Sequence, residues 1–126
     1  MPAKYGVAAL LAAAPQQTFA DPAERWRFAV EMIFPGKIAS QKKGCPKGAF
    51  LGLCEEGLVK GIANGKYTTS IDNKHYALRA VELLRAGDSR IKPIELWSLV
   101  MNGVKKSHNG QMDVVLALWS NGNIVR

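Results

Sequence analysis

Apolar side chains recur along this chain at the spacing of a helix face, and the gaps between them carry caps and turns. Trp26, Ala29, Val30 and Ile33 form a stripe at i, i+3, i+4 and i+7. Asp21-Pro22-Ala23-Glu24 precedes it, supplying an N-cap carboxylate, a proline at the first helical position and a glutamate that can reach back as a capping box. Pro35-Gly36 ends the segment. Ahead of it, an alanine-rich run from about Ala3 to Ala14 predicts a first helix, stopped by Pro15.

A third helix is expected from Pro46 to about Glu56, with Phe50, Leu53, Cys54 and Leu58 on one face. The fourth covers roughly Asn73 to Arg85, with Tyr76, Ala80, Leu83 and Leu84 inward and His75, Arg79 and Glu82 outward. The fifth runs from Pro93 to about Lys105, with Trp97, Val100, Met101 and Val104 inward and Glu95, Ser98 and Asn102 outward. The sixth, from about Gln111 to Ser120, is apolar nearly all round, which marks it as the buried central element, capped by Asn121-Gly122. Asn64-Gly65, a tight-turn dipeptide between Ile62 and Tyr67, admits one short hairpin. The pattern therefore predicts an all-α, compact single domain over residues 1–126, with about five or six helices packed around a buried C-terminal helix.

Composition agrees with this and narrows the setting. A chain of 126 residues can bury roughly two-thirds of its unfolded surface without metal or disulfide support. A hydrophobic fraction of 48% excludes disorder, and no run approaches the ~18 apolar residues of a membrane span. Two cysteines are too few for a secreted disulfide scaffold, so reduced thiols and a cytoplasmic location are expected. The opening MPAKYGVAALLAAAPQQTFA reads as a helix rather than a leader, because its apolar run is mostly alanine and carries a single preceding lysine.

The net charge of +7 favours anionic partners. Nucleic acid is the weaker form of that expectation. The last two helices, joined by Ser107-His108-Asn109-Gly110, imitate a helix-turn-helix, yet the second offers no basic face and carries Asp113. The chain also lacks the interleaved aromatic and basic residues used by single-strand binders.

Two features do not follow from the helical pattern alone. Gly44, Gly48 and Gly52 recur every four residues, leaving a strip without side chains on the third helix. Interior glycines cost about 0.5–1 kcal/mol each relative to alanine, so close backbone packing should offset them. Ala8, Ala9, Ala12 and Ala13 of the first helix are the expected partners.

The second feature is the stretch Ser40-Gln41-Lys42-Lys43-Gly44-Cys45-Pro46-Lys47-Gly48. With Cys45 as N-cap and Pro46 as first helical residue, unpaired amides, the helix dipole and Lys42, Lys43 and Lys47 converge on one place. That is the chemistry of an anion site, whether the anion is a phosphate, a carboxylate or the Cys45 thiolate itself. The candidate binding residues are Gln41, Lys42, Lys43, Cys45, Lys47 and Gly48. Solvated lysines and a cysteine that merely caps a helix explain the same residues without function.

Cys45 is also the one candidate catalytic residue, as a nucleophile, provided folding brings His75 or His108 to it. Cys54 lies on the inward stripe and reads as a small buried hydrophobe. No zinc site is expected, since Cys45, Cys54, His75 and His108 lack the short paired spacing of structural zinc ligands, and no other cofactor is indicated.

The segments SQKKGCPKGAFLGLCEEGLVKGI, NKHYALRAVELL and HNGQMDVVLALW together resemble a family of small bacterial proteins described as a domain of unknown function. The resemblance extends from YGVAALLA to LALW and implies a single intracellular bacterial domain. It implies no activity, cofactor or site. Three readings thus stand side by side: a module binding an anionic small molecule, an enzyme using Cys45, and a structural or partner-binding protein.

Overall fold

The computed structural model describes residues 3–87 and 90–126, so the first two residues of the leader-like stretch lie outside it. Among the described residues the chain forms six full helices and one helical turn. They are α1 (Lys4–Ala13), α2 (Pro22–Ile33), the turn α3 (Ile38–Gln41), α4 (Gly44–Glu55), α5 (Ile71–Ala86), α6 (Pro93–Met101) and α7 (Gln111–Ser120). The fold is all-helical, as the periodicity predicts. No helix among the described residues is long and apolar enough to cross a membrane.

α7 is the hub, packing against α1, α4, α5 and α6. Met112, Val114, Val115, Leu118 and Trp119 are buried, whereas Leu116 and Ala117 are only half-buried beside α1. Its end follows the expected cap: Gly122 takes φ +75°, and the Asn123 and Gly122 amides donate to the Leu118 and Trp119 carbonyls.

α2 starts as its sequence dictates, with the Asp21 side chain accepting from the Ala23 amide. Glu24 does not close a capping box. It pairs instead with Arg27 at 2.6 Å, one turn along the exposed face. Buried Arg25, on the other face, donates to the Ala12 and Ala14 carbonyls and so caps the end of α1, which has no basic residue of its own there. Trp26 stacks on Phe50 at 5.3 Å and joins α2 to α4.

Three local expectations change. Asn64-Gly65 forms no hairpin, because the loop folds back onto the end of α4. Gly65 donates to the Glu55 carbonyl, the Glu55 carboxylate accepts the Tyr67 and Thr68 amides, and the Tyr67 hydroxyl donates to Ala63. Among the described residues the extended pairing is a single antiparallel bridge between Val59 and Ile124.

The glycine face of α4 packs on the start of α5, not on α1. A Cβ at Gly48 would lie 2.9 Å from Asn73 Cβ, and one at Gly52 would lie 2.7 Å from Lys74 Cα. The alanines of α1 are buried against α2 and α7 instead. Finally, α6 stops at Met101, because Asn102 (φ 47°) and Gly103 (φ 92°) are both left-handed. Val104 is therefore turned out to solvent and does not continue the inward stripe.

Candidate functional site

The first turns of α4, α5 and α7 meet at one corner of the molecule. Gly48 abuts Ser70 and Asn73, and a Cβ at Gly110 would meet Pro46 Cβ at 3.5 Å. A chain of polar side chains locks the corner. Asn73 donates to Ser70 Oγ at 2.7 Å, buried Gln111 donates to Asn73 Oδ1 at 3.0 Å, and Gln111 Oε1 accepts the Asn109 amide at 2.7 Å. A buried amide must be paired in this way or cost the helix junction its stability.

α4 begins two residues before the sequence reading placed it. Lys43 is the extended N-cap residue, Cys45 stands inside the first turn, and Pro46 is the third helical residue. Proline is tolerated anywhere in a first turn, since none of those amides has an intrahelical partner, so its presence did not fix the start. With the helix starting at Gly44, the Gly44 and Cys45 amides precede any intrahelical acceptor, whereas the Gly48 amide falls within the helical ladder.

The six residues singled out from the sequence separate onto different surfaces. Lys47, Gly48 and Gly44 line a cleft of about 570 Å³ whose opposite wall is the loop 66–70 and whose floor is Leu51. Lys43 lies over the Tyr5 ring at 5.6 Å. Gln41 and Lys42 face a separate hollow of about 330 Å³ against α2, which Lys47 also borders, and the Gln41 amide is spent on the Phe34 carbonyl at 2.8 Å. Cys45 is half-buried and close enough to Lys106 to help hold that lysine's pKa above its ordinary value, an effect led by the Tyr76 hydroxyl.

Sequence reasoning missed the far wall of the larger cleft. It is built from Lys66-Tyr67-Thr68-Thr69-Ser70. The run of hydroxyls after a lysine was the available signal, and it lies just past the Asn64-Gly65 turn where the sequence admitted only a short hairpin. Glu55 sets the loop in place, with one carboxylate oxygen on the Tyr67 and Thr68 amides and the other 2.6 Å from Lys74. Thr68 Oγ1 accepts the Ser70 amide, and Ser70 Oγ accepts from Asn73, which leaves each hydroxyl its own proton to donate. Among the described residues, neither Lys47 nor Lys66 forms an ion pair.

The histidines do not form a catalytic pair with Cys45. His75 is exposed on α5. His108 packs on Trp97 at 5.4 Å, and its Nε2 accepts the Met112 amide at 3.0 Å, so the nitrogen a general base would use caps α7. Burial first, and Lys43 second, hold the His108 pKa below its ordinary value, against the pull of Asp113. Burial pushes the Asp113 carboxyl upward. No imidazole hydrogen-bonds either thiol, and no metal-ligating group of three side chains occurs, among the described residues.

A family model described as a family of unknown function, DUF6979, matches residues 2–125. Neither the curated proteins nor the solved structures contain a match.

Proposed function

The chain belongs to the family of unknown function DUF6979, and we propose that it is a small binding module for an anionic ligand bearing phosphate or carboxylate. The observation that carries this reading is the cleft between α4 and the loop 66–70. It puts Lys47 and Lys66, the hydroxyls of Thr68, Thr69 and Ser70, and the first turn of α4 around one volume of about 570 Å³. That size suits a small organic molecule, and Leu51 with Tyr67 gives it an apolar surface to cover.

The proposed anion sits across the cleft from where the sequence put it. Lys47, Gly48 and the Gly44 end of the turn contribute, whereas Gln41 and Lys42 act elsewhere. The oriented amides and hydroxyls supply directional donors, and the lysines supply charge. Cys45 has no chemistry to perform in this reading and reports on the site by its neighbourhood. A cytoplasmic, bacterial setting remains part of the proposal.

Titration of isotope-labelled protein with inorganic phosphate, at ionic strength held constant with chloride, tests it. The Gly44, Cys45 and Thr68–Ser70 amides should shift saturably, Cys45 alkylation should slow, and Lys47→Glu combined with Lys66→Glu should abolish both effects. Equal responses to chloride, or responses that survive the double charge reversal, would remove the reading.

A further inference from the structure

α6 carries an apolar trough on its outer side that shares no lining residue with the anion cleft. Ile94, in the first turn, is 62% exposed, and Val104, just past the last turn, is 65% exposed. Buried Trp97 and Met101 form the floor between them, and the hollow measures about 670 Å³. Side chains of this kind leave water wherever the fold allows. Here the backbone does the reverse: the left-handed pair Asn102 and Gly103 breaks the helix and holds Val104 outside.

The rim is cationic. Lys105 and Lys106 border the trough, no acidic side chain lines it, and neither lysine is ion-paired among the described residues. Asp72 lies outside the trough but near enough to Lys106 to act on it after the Tyr76 hydroxyl. Lys106 is held in position by the Tyr76 hydroxyl at 3.0 Å and lies over that ring. The rim segment is itself fixed, because the Trp97 indole N–H donates to the Lys106 carbonyl at 2.8 Å. The nearby carboxylate of α6, Glu95, is turned back onto the Lys92 amide and lines the opposite side of the helix.

We propose that this trough is a docking site for an acidic amphipathic helix of a partner protein. Apolar residues of such a helix at i, i+3 or i+4, and i+7 would fill the space between Ile94 and Val104, and flanking carboxylates would meet Lys105 and Lys106. Exposed apolar side chains at both ends of the trough, about one helix length apart along α6, match the spacing of an amphipathic helix laid along it. The charge of the rim selects an acidic partner over a basic one.

The test uses two synthetic amphipathic helices of about four turns, identical in their leucine positions, one carrying glutamate on the flanks and the other lysine. The glutamate peptide should shift the Ile94 and Val104 methyl signals and the Trp97 indole N–H, and the lysine peptide should not. Affinity should fall about tenfold or more in Val104→Asp and several-fold in Lys105→Glu/Lys106→Glu. Both variants change exposed side chains, and an unaltered melting temperature establishes that they fold. Equal binding of the two peptides, binding indifferent to Val104→Asp, or no binding by either would overturn the proposal. So would association with phosphatidylserine vesicles that needs Val104 in the absence of peptide binding, which would make the surface a membrane contact.

Discussion

Glu55 and Lys74, nineteen residues apart in sequence, form an ion pair of 2.6 Å that joins the end of α4 to the start of α5. The same carboxylate holds the Tyr67 and Thr68 amides, and the Lys74 bond foremost, then those amides, hold its pKa at about 2. A carboxylate held low in the folded state binds fewer protons there than in the unfolded chain. Its contribution is therefore complete above the ordinary value of 4.5 and is lost as pH falls from there toward 2. Glu55→Gln should destabilise the protein at neutral pH by roughly 1–3 kcal/mol. Denaturant melts at neutral and acid pH check the sign: the gap between parent and variant should close through that window.

The glycine face supplies a second prediction, graded by what each Cβ would meet. Gly52→Ala places a methyl 2.7 Å from Lys74 Cα, backbone that cannot swing aside. We expect it to lose roughly 1–3 kcal/mol despite the gain in helix propensity. Gly48→Ala meets Ser70 and Asn73 side chains and should lose less. Gly44→Ala meets nothing within 4 Å and should melt at or slightly above the parent temperature. A reversed order in thermal melts would show that α4 and α5 do not approach as described.

His108 gives the third. Its pKa is lowered by burial, so its contribution to stability is present above the ordinary 6.5 and disappears as pH falls through the lowered folded value. Protonation also removes the acceptor that Met112 uses. Asp113 acts in the opposite sense at lower pH: raised from 3.8, it favours the fold below that value and less so above it. From about pH 7 to about pH 5, the parent should therefore lose stability more steeply than His108→Leu, which has already lost the cap. An imidazole titration by NMR with a midpoint at or above 6.5 would contradict this.

The two thiols should separate cleanly. Cys54 is fully buried, and that burial drives its pKa up to about 12, so it should resist alkylation until the protein unfolds. Cys45 is half-buried in the first turn of α4 and should react in the folded state. Mass spectrometry after limited alkylation should find label on Cys45 alone.

Helices were legible in the sequence because their determinants are local. Asp21-Pro22 opens α2, Asn121-Gly122 closes α7, and the stripe from Trp26 to Val30 needs no distant information. The larger failures were matters of pairing between distant segments, and the smaller ones of where a helix starts or stops. Nothing near Gly48 and Gly52 indicates that Ser70 to Lys74, rather than the alanines of α1, would fill their strip. Asn64-Gly65 has the chemistry of a hairpin turn, but the competing partner for its downstream amides is a carboxylate on another helix. Val104 fell outside because two consecutive left-handed residues ended α6 early, and only Gly103 announced that in the sequence. The candidate site was half visible for the same reason: Lys47 and Gly48 belong to one local motif, while Lys66 to Ser70 reach it through Glu55.

The central place of α7 bears on how the protein is made. The helices it holds together, α1, α4, α5 and α6, all precede it in the chain. On the ribosome they are therefore synthesised before the element they bury against, and their apolar faces wait for it. Contacts such as those between α1 and α7 span most of the sequence, which delays closure of the core relative to helix formation. A nascent chain stalled before Gln111 should accordingly be helical but loosely packed and attractive to chaperones, and it should harden to protease only when synthesis has delivered the last helix.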